Sequence, residues 1–250
     1  MRLLLIRHGQ TPSNVLGLLD TAPPGPGLTD LGVAQAAALP ATLAERRIDL
    51  IAASTQPRAL LTAAPLAADR GLPVLVRDGL CEVPAGELEM RGDQDAVRTY
   101  LTTVREWMGG NLDLAMPGGQ SGLQVLARFD AVVDEVATLV AERVGDDGTA
   151  VLFAHGAMLR TWATARGTDE RLRQDLLERF QPLHNTGMIV MNSSVDGWRI
   201  ESWAGLALGG ALLDDGSADG PAGGDPTGSG LPAGTVRSAP SQVRATGAPR

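Results

Sequence analysis

Four consecutive apolar residues, Leu3-Leu4-Leu5-Ile6, run straight into Arg7-His8-Gly9. An uninterrupted apolar run lacks the alternation of a strand with one wet face, so it reads as a buried strand. That constrains the whole chain, because a strand covered on both faces belongs to a domain with helices packed on its sheet. Where the run breaks, a cation and an imidazole are presented together at a strand end. That is the layout of a phosphate site.

The rest of the sequence repeats the pattern. β-rich runs follow at Ile48–Ala53, Pro73–Val76, Ala150–Ala154, Met188–Met191 and Trp198–Trp203. Stretches of helical composition separate them near Asp30–Glu45, Arg58–Asp69, Asp95–Met108, Leu123–Val144 and Met158–Ala165, with Thr29 placed to cap the first. Such alternation predicts an α/β fold with a mainly parallel sheet. A chain of 250 residues with 44% apolar content suffices for one sizeable core, so one main domain over residues 1–205 is expected. From residue 206 the composition collapses to Gly, Ala, Pro, Ser and Asp, which predicts a disordered low-complexity tail over 206–250.

In open parallel sheets ligands bind beyond the carboxyl ends of the strands. Arg7-His8 follows the first strand, Ser54-Thr55-Gln56-Pro57-Arg58 follows the second and enters a helix, and His155-Gly156 follows Val151–Ala154. Three words distant in sequence can therefore meet at one sheet edge. A helix N-terminus beside Arg58 adds donors and a favourable dipole for an anion.

Several chemistries are excluded. A net charge of −8 argues against a nucleic-acid footprint, so any anion site must be a local concentration of cations. Every basic residue is arginine, which removes lysine Schiff bases and the Gly-Lys-Ser/Thr phosphate loop. The single Cys81 permits no disulfide framework and, with no secretory signal, predicts a cytoplasmic setting. No run reaches membrane-spanning length. Glu87, not arginine, lies six positions after Cys81, so the Cys-x5-Arg phosphatase loop is missing. The three histidines form no zinc-type spacing, and no metal or cofactor is expected. Gly119-Gln120-Ser121-Gly122-Leu123 lacks the second glycine of a nucleophile elbow.

Five words in order, Arg7-His8-Gly9-Gln10-Thr11 with Asn14, Leu28 to Gln35, Ser54 to Ala63, Leu80-Cys81-Glu82 and Ala154-His155-Gly156, resemble the histidine phosphatase superfamily, the phosphoglycerate-mutase-like enzymes. The resemblance covers Met1 to Trp203. It implies a three-layer α/β/α sandwich in which His8 is the nucleophile and forms a phosphohistidine. It also implies that Arg7, Asn14, Arg58 and His155 line the phosphate pocket and that Glu82 is the general acid/base. The chemistry suits these residue types. An imidazole attacks through an unprotonated nitrogen, so its other nitrogen must hold the proton, usually against a backbone carbonyl. Guanidinium forks match the charge spread over phosphoryl oxygens without a metal. Glu87 and Glu89 are rivals to Glu82, and His184 reads as structural.

The resemblance further implies a phosphomonoesterase acting on a small phosphorylated metabolite. The alternatives are a cofactor-dependent phosphoglycerate mutase and a non-catalytic phosphate binder. The mutase insert, with its Tyr-Gly and Asn-Lys words, has no counterpart in the cap segment over about 84–120. Arg91, Arg98 and Arg105 recur every seven residues there and read either as a second anion site or as a solvated face. Gln120 stands where the family carries glutamate, and Val83 to Glu89 lacks the family's aromatic residues. The apolar terminal strands are compatible with a homodimer.

Overall fold

The computed structural model describes residues 1–167, 170–178 and 181–222, together with the backbone of Val236–Arg237. Its sheet holds β1 (Arg2–Arg7), β2 (Leu50–Ala53), β3 (Val74–Val76), β4 (Thr149–Ala154), β5 (Met188–Ser194), β6 (Gly197–Ala204) and the two-residue β7 (Val236–Arg237), in the order β3-β2-β4-β1-β5-β6-β7. The first four in that order run parallel, and β5, β6 and β7 extend the sheet antiparallel.

Period-two alternation splits the strands between two helical layers. Leu3, Leu5, Ala52, Leu152, Ala154, Ile189 and Met191 face one core, shared with α4 (Gln94–Met108), α5 (Gly122–Val144) and α6 (Gly156–Gly167). Leu4, Ile6, Ile51, Ala53, Val151, Phe153, Met188 and Val190 face the other, against α2 (Asp30–Thr42) and α3 (Pro57–Arg70). This is a three-layer sandwich. Leu3 to Ile6 are all 0% exposed, so each stabilises the fold by roughly 1.5–3 kcal/mol. No helix among the described residues is long and apolar enough to cross a membrane.

Two short helices carry no sequence expectation. α1 (Pro12–Val15) is only four residues long and rests on a capping box between Thr11 and Asn14, with Pro12 opening the helix. α7 (Glu170–Glu178) lies against α4 and α6.

The expected disorder from residue 206 is corrected for 206–222, which pack back onto the domain as a strap. Gln35 Nε2 donates to Leu213 O at 2.8 Å, His184 Nδ1 lies 2.8 Å from Asp214 Oδ1, and Asn185 N donates to Asp219 Oδ1 at 2.9 Å. Asp219 is 2% exposed. Composition failed here because hydrogen bonds from buried polar groups hold the segment together with a few apolar contacts, those of Ala207, Leu208 and Ala222. The remainder of the expected tail, apart from the backbone of β7, lies outside the described residues.

Because β2, β4 and β1 are neighbours, Ser54, His155 and His8 emerge side by side. His8 N donates to Ala154 O at 3.0 Å and Ser54 N to Phe153 O at 3.0 Å. The loop after β1 meets the first turn of α2 almost backbone to backbone. A Cβ on Gly32 would lie 2.2 Å from Gln10 O, and one on Gly9 would lie 2.8 Å from Gly32 O. Gly32→Ala is therefore expected to lower stability by about 1–3 kcal/mol, read as a reduced midpoint of urea unfolding at unchanged slope.

Candidate active site

Arg7, His8, Thr11, Asn14, Asp20, Thr21, Arg58, Glu82 and Tyr100 surround a small cavity of about 30 Å³ at the carboxyl edge of the sheet, and Pro221 and Ala222 of the strap close one side. That volume holds about two waters. A second cavity of about 440 Å³ shares Thr21 and Glu82 with it and continues past Pro23, Pro84, Gln120 and Arg128.

His8 is 4% exposed, and its Nδ1 lies 2.7 Å from Gly9 O. A carbonyl can only accept, so Nδ1 carries the proton and Nε2 keeps its lone pair. Gly9 itself is fixed from α3, whose Thr62 Oγ1 accepts from Gly9 N at 2.9 Å. Asn185 Nδ2 donates to His8 O at 3.0 Å, and Thr186, at a left-handed φ of 61°, places its N–H against Arg7 O and His8 O. That backbone conformation is strained for a β-branched residue, and it sits beside the site.

His155 lies beneath the cavity rather than on its wall. Its ring centroid is 5.1 Å from that of His8, Nδ1 accepts from Arg58 Nε at 3.3 Å, and Nε2 donates to Ser54 Oγ at 2.9 Å. Burial holds both histidines well below 6.5, and Arg58 and Arg7 reinforce the shift in each, so both are neutral at pH 7.

Two guanidiniums supply the charge. Arg7 donates through Nη1 to Leu183 O at 2.8 Å and through Nη2 to Asp219 O at 2.6 Å; Arg58 Nη2 donates to Asp20 O at 3.1 Å. Arg7 Nε and Arg58 Nη1 are buried with no hydrogen-bond partner among the described residues. Arg160 on α6 is a third buried cation, lowered to about 9 by burial and by Arg7, and still charged at neutral pH.

Glu82, 6% exposed, reaches the N-terminus of α6. Oε1 accepts from Met158 N at 2.9 Å and Val83 N at 2.8 Å, and Oε2 from Ala157 N at 3.2 Å. Its rivals are occupied elsewhere: Glu89 binds Thr21 and Ala22, and Glu87 packs at Gly118. Asn14 lines the cavity while its Oδ1 completes the α1 capping box. Cys81 is half-buried beside Ser54 and Thr55. His184 serves structure, pairing with Asp214.

The cap arginines line neither cavity. Arg91 pairs with Asp93 and Arg98 with Asp95, and Arg105 donates to Leu177 O, so they form the solvated face. Sequence reasoning missed Arg128, Arg160, Asn185 and Asp219. The His184-Asn185-Thr186 word at a strand entrance was the available signal for Asn185; the others carry no motif.

The two lowered histidines have a stability consequence. Below pH 6.5 the unfolded chain protonates its histidines while His8 and His155 stay neutral, so the unfolded state binds more protons and stability falls as pH drops from 6.5 toward their folded values. Nuclear magnetic resonance titration of the ring C–H signals is expected to give midpoints below 6.5 for both in the free protein. Urea midpoints are expected to fall in step with the acidification.

The profile of the histidine phosphatase superfamily (branch 1) matches residues 3–205. A glucosyl-3-phosphoglycerate phosphatase of Mycolicibacterium vanbaalenii is 33% identical over 66% of this chain and 73% of its own length. The adenosylcobalamin/α-ribazole phosphatase of Escherichia coli is 35% identical over 51% of this chain and 62% of its own. A PE-PGRS family protein of Mycobacterium tuberculosis is 34% identical over 83% of this chain, which spans only 37% of that protein. The solved mycobacterial glucosyl-3-phosphoglycerate phosphatase with VO3 gives a TM-score of 0.67 at 26% identity, covering 81% of this chain and 98% of that one. The chain belongs to the histidine phosphatase superfamily.

Proposed function

We propose that this protein is a metal-independent phosphomonoesterase that hydrolyses a small phosphorylated metabolite through a phosphohistidine on His8. The observation that carries the reading is the His8 ring, with its proton held on Nδ1 by Gly9 O and its free Nε2 beside two buried guanidiniums that each keep an unpartnered N–H. Relatives named as phosphatases of glucosyl-3-phosphoglycerate, α-ribazole and phosphoserine support the substrate class.

In the first step Nε2 attacks phosphorus in line and the P–O bond to the alcohol breaks. Arg7 and Arg58 carry the charge on the equatorial oxygens, and His155 backs them by accepting from Arg58 Nε. Glu82 gives its proton to the departing alkoxide, then takes one from the water that attacks phospho-His8, releasing phosphate and restoring the imidazole. Oε2, with its single long contact to Ala157 N, is the oxygen free to carry that proton. Asn14 holds the anion from the α1 side. We place the organic part of the ester in the larger cavity that shares Thr21 and Glu82 with the phosphate pocket. A half-buried, unpaired thiol at Cys81 fits a reducing cytoplasm.

The test is phosphate release from a panel of phosphomonoesters in the presence of a chelator, comparing the native chain with His8→Ala. Chelator-resistant release that falls at least about 10³-fold in His8→Ala is expected. Release abolished by the chelator, or equal in the two proteins, sinks the reading. Isomerisation of 3-phosphoglycerate without net release would show a mutase instead.

A further inference from the structure

The acid's side chain is fixed by α6, and its main chain is fixed from the opposite direction by one arginine. Arg128, on the second turn of α5, donates through Nη1 to Gly79 O at 2.8 Å and Cys81 O at 2.7 Å, and through Nη2 to Glu82 O at 2.8 Å. One planar fork thus collects three carbonyls from four consecutive residues, and its rigidity fixes their mutual directions. The turn is pressed onto the helix: a Cβ on Gly79 would sit 2.5 Å from Arg128 O. Gln56 Oε1 accepts from Glu82 N at 3.2 Å and Tyr100 donates to Val83 O at 3.0 Å, so only the arginine holds the carbonyl side of Glu82 itself.

Leu80 and Val83 are buried in the core on either side of Cys81-Glu82, but Pro84-Ala85-Gly86 adds no bulky side chain and no regular strand or α-helix carries residues 77–93, so the direction of the Glu82 main chain is left to hydrogen bonds. Loop residues position chemistry only when surrounding contacts over-determine them. We propose that Arg128 is the positioning residue for the general acid: it sets the Glu82 main chain so that the carboxyl group meets the leaving-group oxygen, its Nη1 and Nη2 donors being spent on loop carbonyls rather than on the reacting atoms. The proposal rests on Glu82 being that acid.

The two ideas separate by leaving-group dependence. An aryl phosphate such as p-nitrophenyl phosphate departs as a stable phenolate and needs little protonation, whereas an alkyl phosphate such as glycerol 3-phosphate departs as a strongly basic alkoxide. Rates of the first turnover are measured on both esters for the native protein, Glu82→Gln, Arg128→Gln and Arg128→Lys, each with its melting curve to establish folding. Glu82→Gln is expected to slow the alkyl ester about 10²–10⁴-fold more than the aryl ester. Arg128→Gln is expected to shift selectivity the same way by about 10²-fold, the effect of misplacing a catalytic group by about 1 Å, with KM for the alkyl ester little changed. Arg128→Lys keeps the charge but not the fork, and its selectivity is expected to fall between the two.

Equal losses on both esters in a folded Arg128→Gln protein, or a raised KM with unchanged turnover, would overturn the proposal; the latter would mark Arg128 as a substrate ligand in the larger cavity. If Arg128→Gln does not fold, Arg128→Lys carries the test, and native selectivity in that variant overturns the clamp. Unchanged selectivity in Glu82→Gln would remove the acid assignment, and the proposal with it.

Discussion

A guanidinium taken out of water must be given other oxygens, and here those oxygens are main-chain carbonyls from distant parts of the chain. Arg7 finds Leu183 O and Asp219 O, and Arg58 finds Asp20 O. Carbonyl dipoles satisfy the donors without cancelling the charge, as a bidentate carboxylate would. Positive potential therefore survives in a chain whose net charge is −8. Burial keeps His8 and His155 neutral and the two cations reinforce the shift, so the same guanidiniums that leave N–H groups toward the cavity also help hold both imidazoles unprotonated. Much of the architecture can be read as the scaffold that brings those carbonyls together.

Glu82 is held on a different principle. Its carboxylate sits on the N-terminus of α6, and its carbonyl sits on a guanidinium from α5. Opposite ends of one residue are thereby tied to two helices of the same layer. The loop has no aromatic residue between Val83 and Glu89, and the restraints on Glu82 come from the helices behind it. The cap arginines illustrate the contrary case. Arg91 and Arg98 meet nearby carboxylates and Arg105 the carbonyl of Leu177 on α7, so a regular spacing of charges marked a wet face.

The sheet was legible because its signal is collective. Leu3 to Ile6 and Val151 to Ala154 are buried on both faces, and an unbroken apolar run records that directly. His8, Arg58 and His155 stand in words that follow strands, which is why the sequence pointed to their meeting at one edge; Glu82 reaches the same cavity from the loop beyond β3. Arg128 and Arg160 were not, since each recognises carbonyls or sits among other charges within an ordinary helical sequence, and a carbonyl leaves no trace in residue identity. The strap was misjudged from residue 206 to 222 for a related reason: its small residues bury little, yet Asp219 and Asp214 find partners that composition does not reveal.

The contact between Arg7 and Asp219 closes a span of 212 residues, and that between Arg7 and Leu183 a span of 176. Contacts of such separation form late, after the ordering cost of everything between them has been met. β1 precedes β5, its antiparallel neighbour, and both acceptors of Arg7 by 176 residues of chain or more. Until those segments arrive, the arginine beside His8 has neither of its carbonyls and β1 lacks one flank. The pocket is in this sense completed from a distance, its first guanidinium seated only when chain far downstream has folded back beside it.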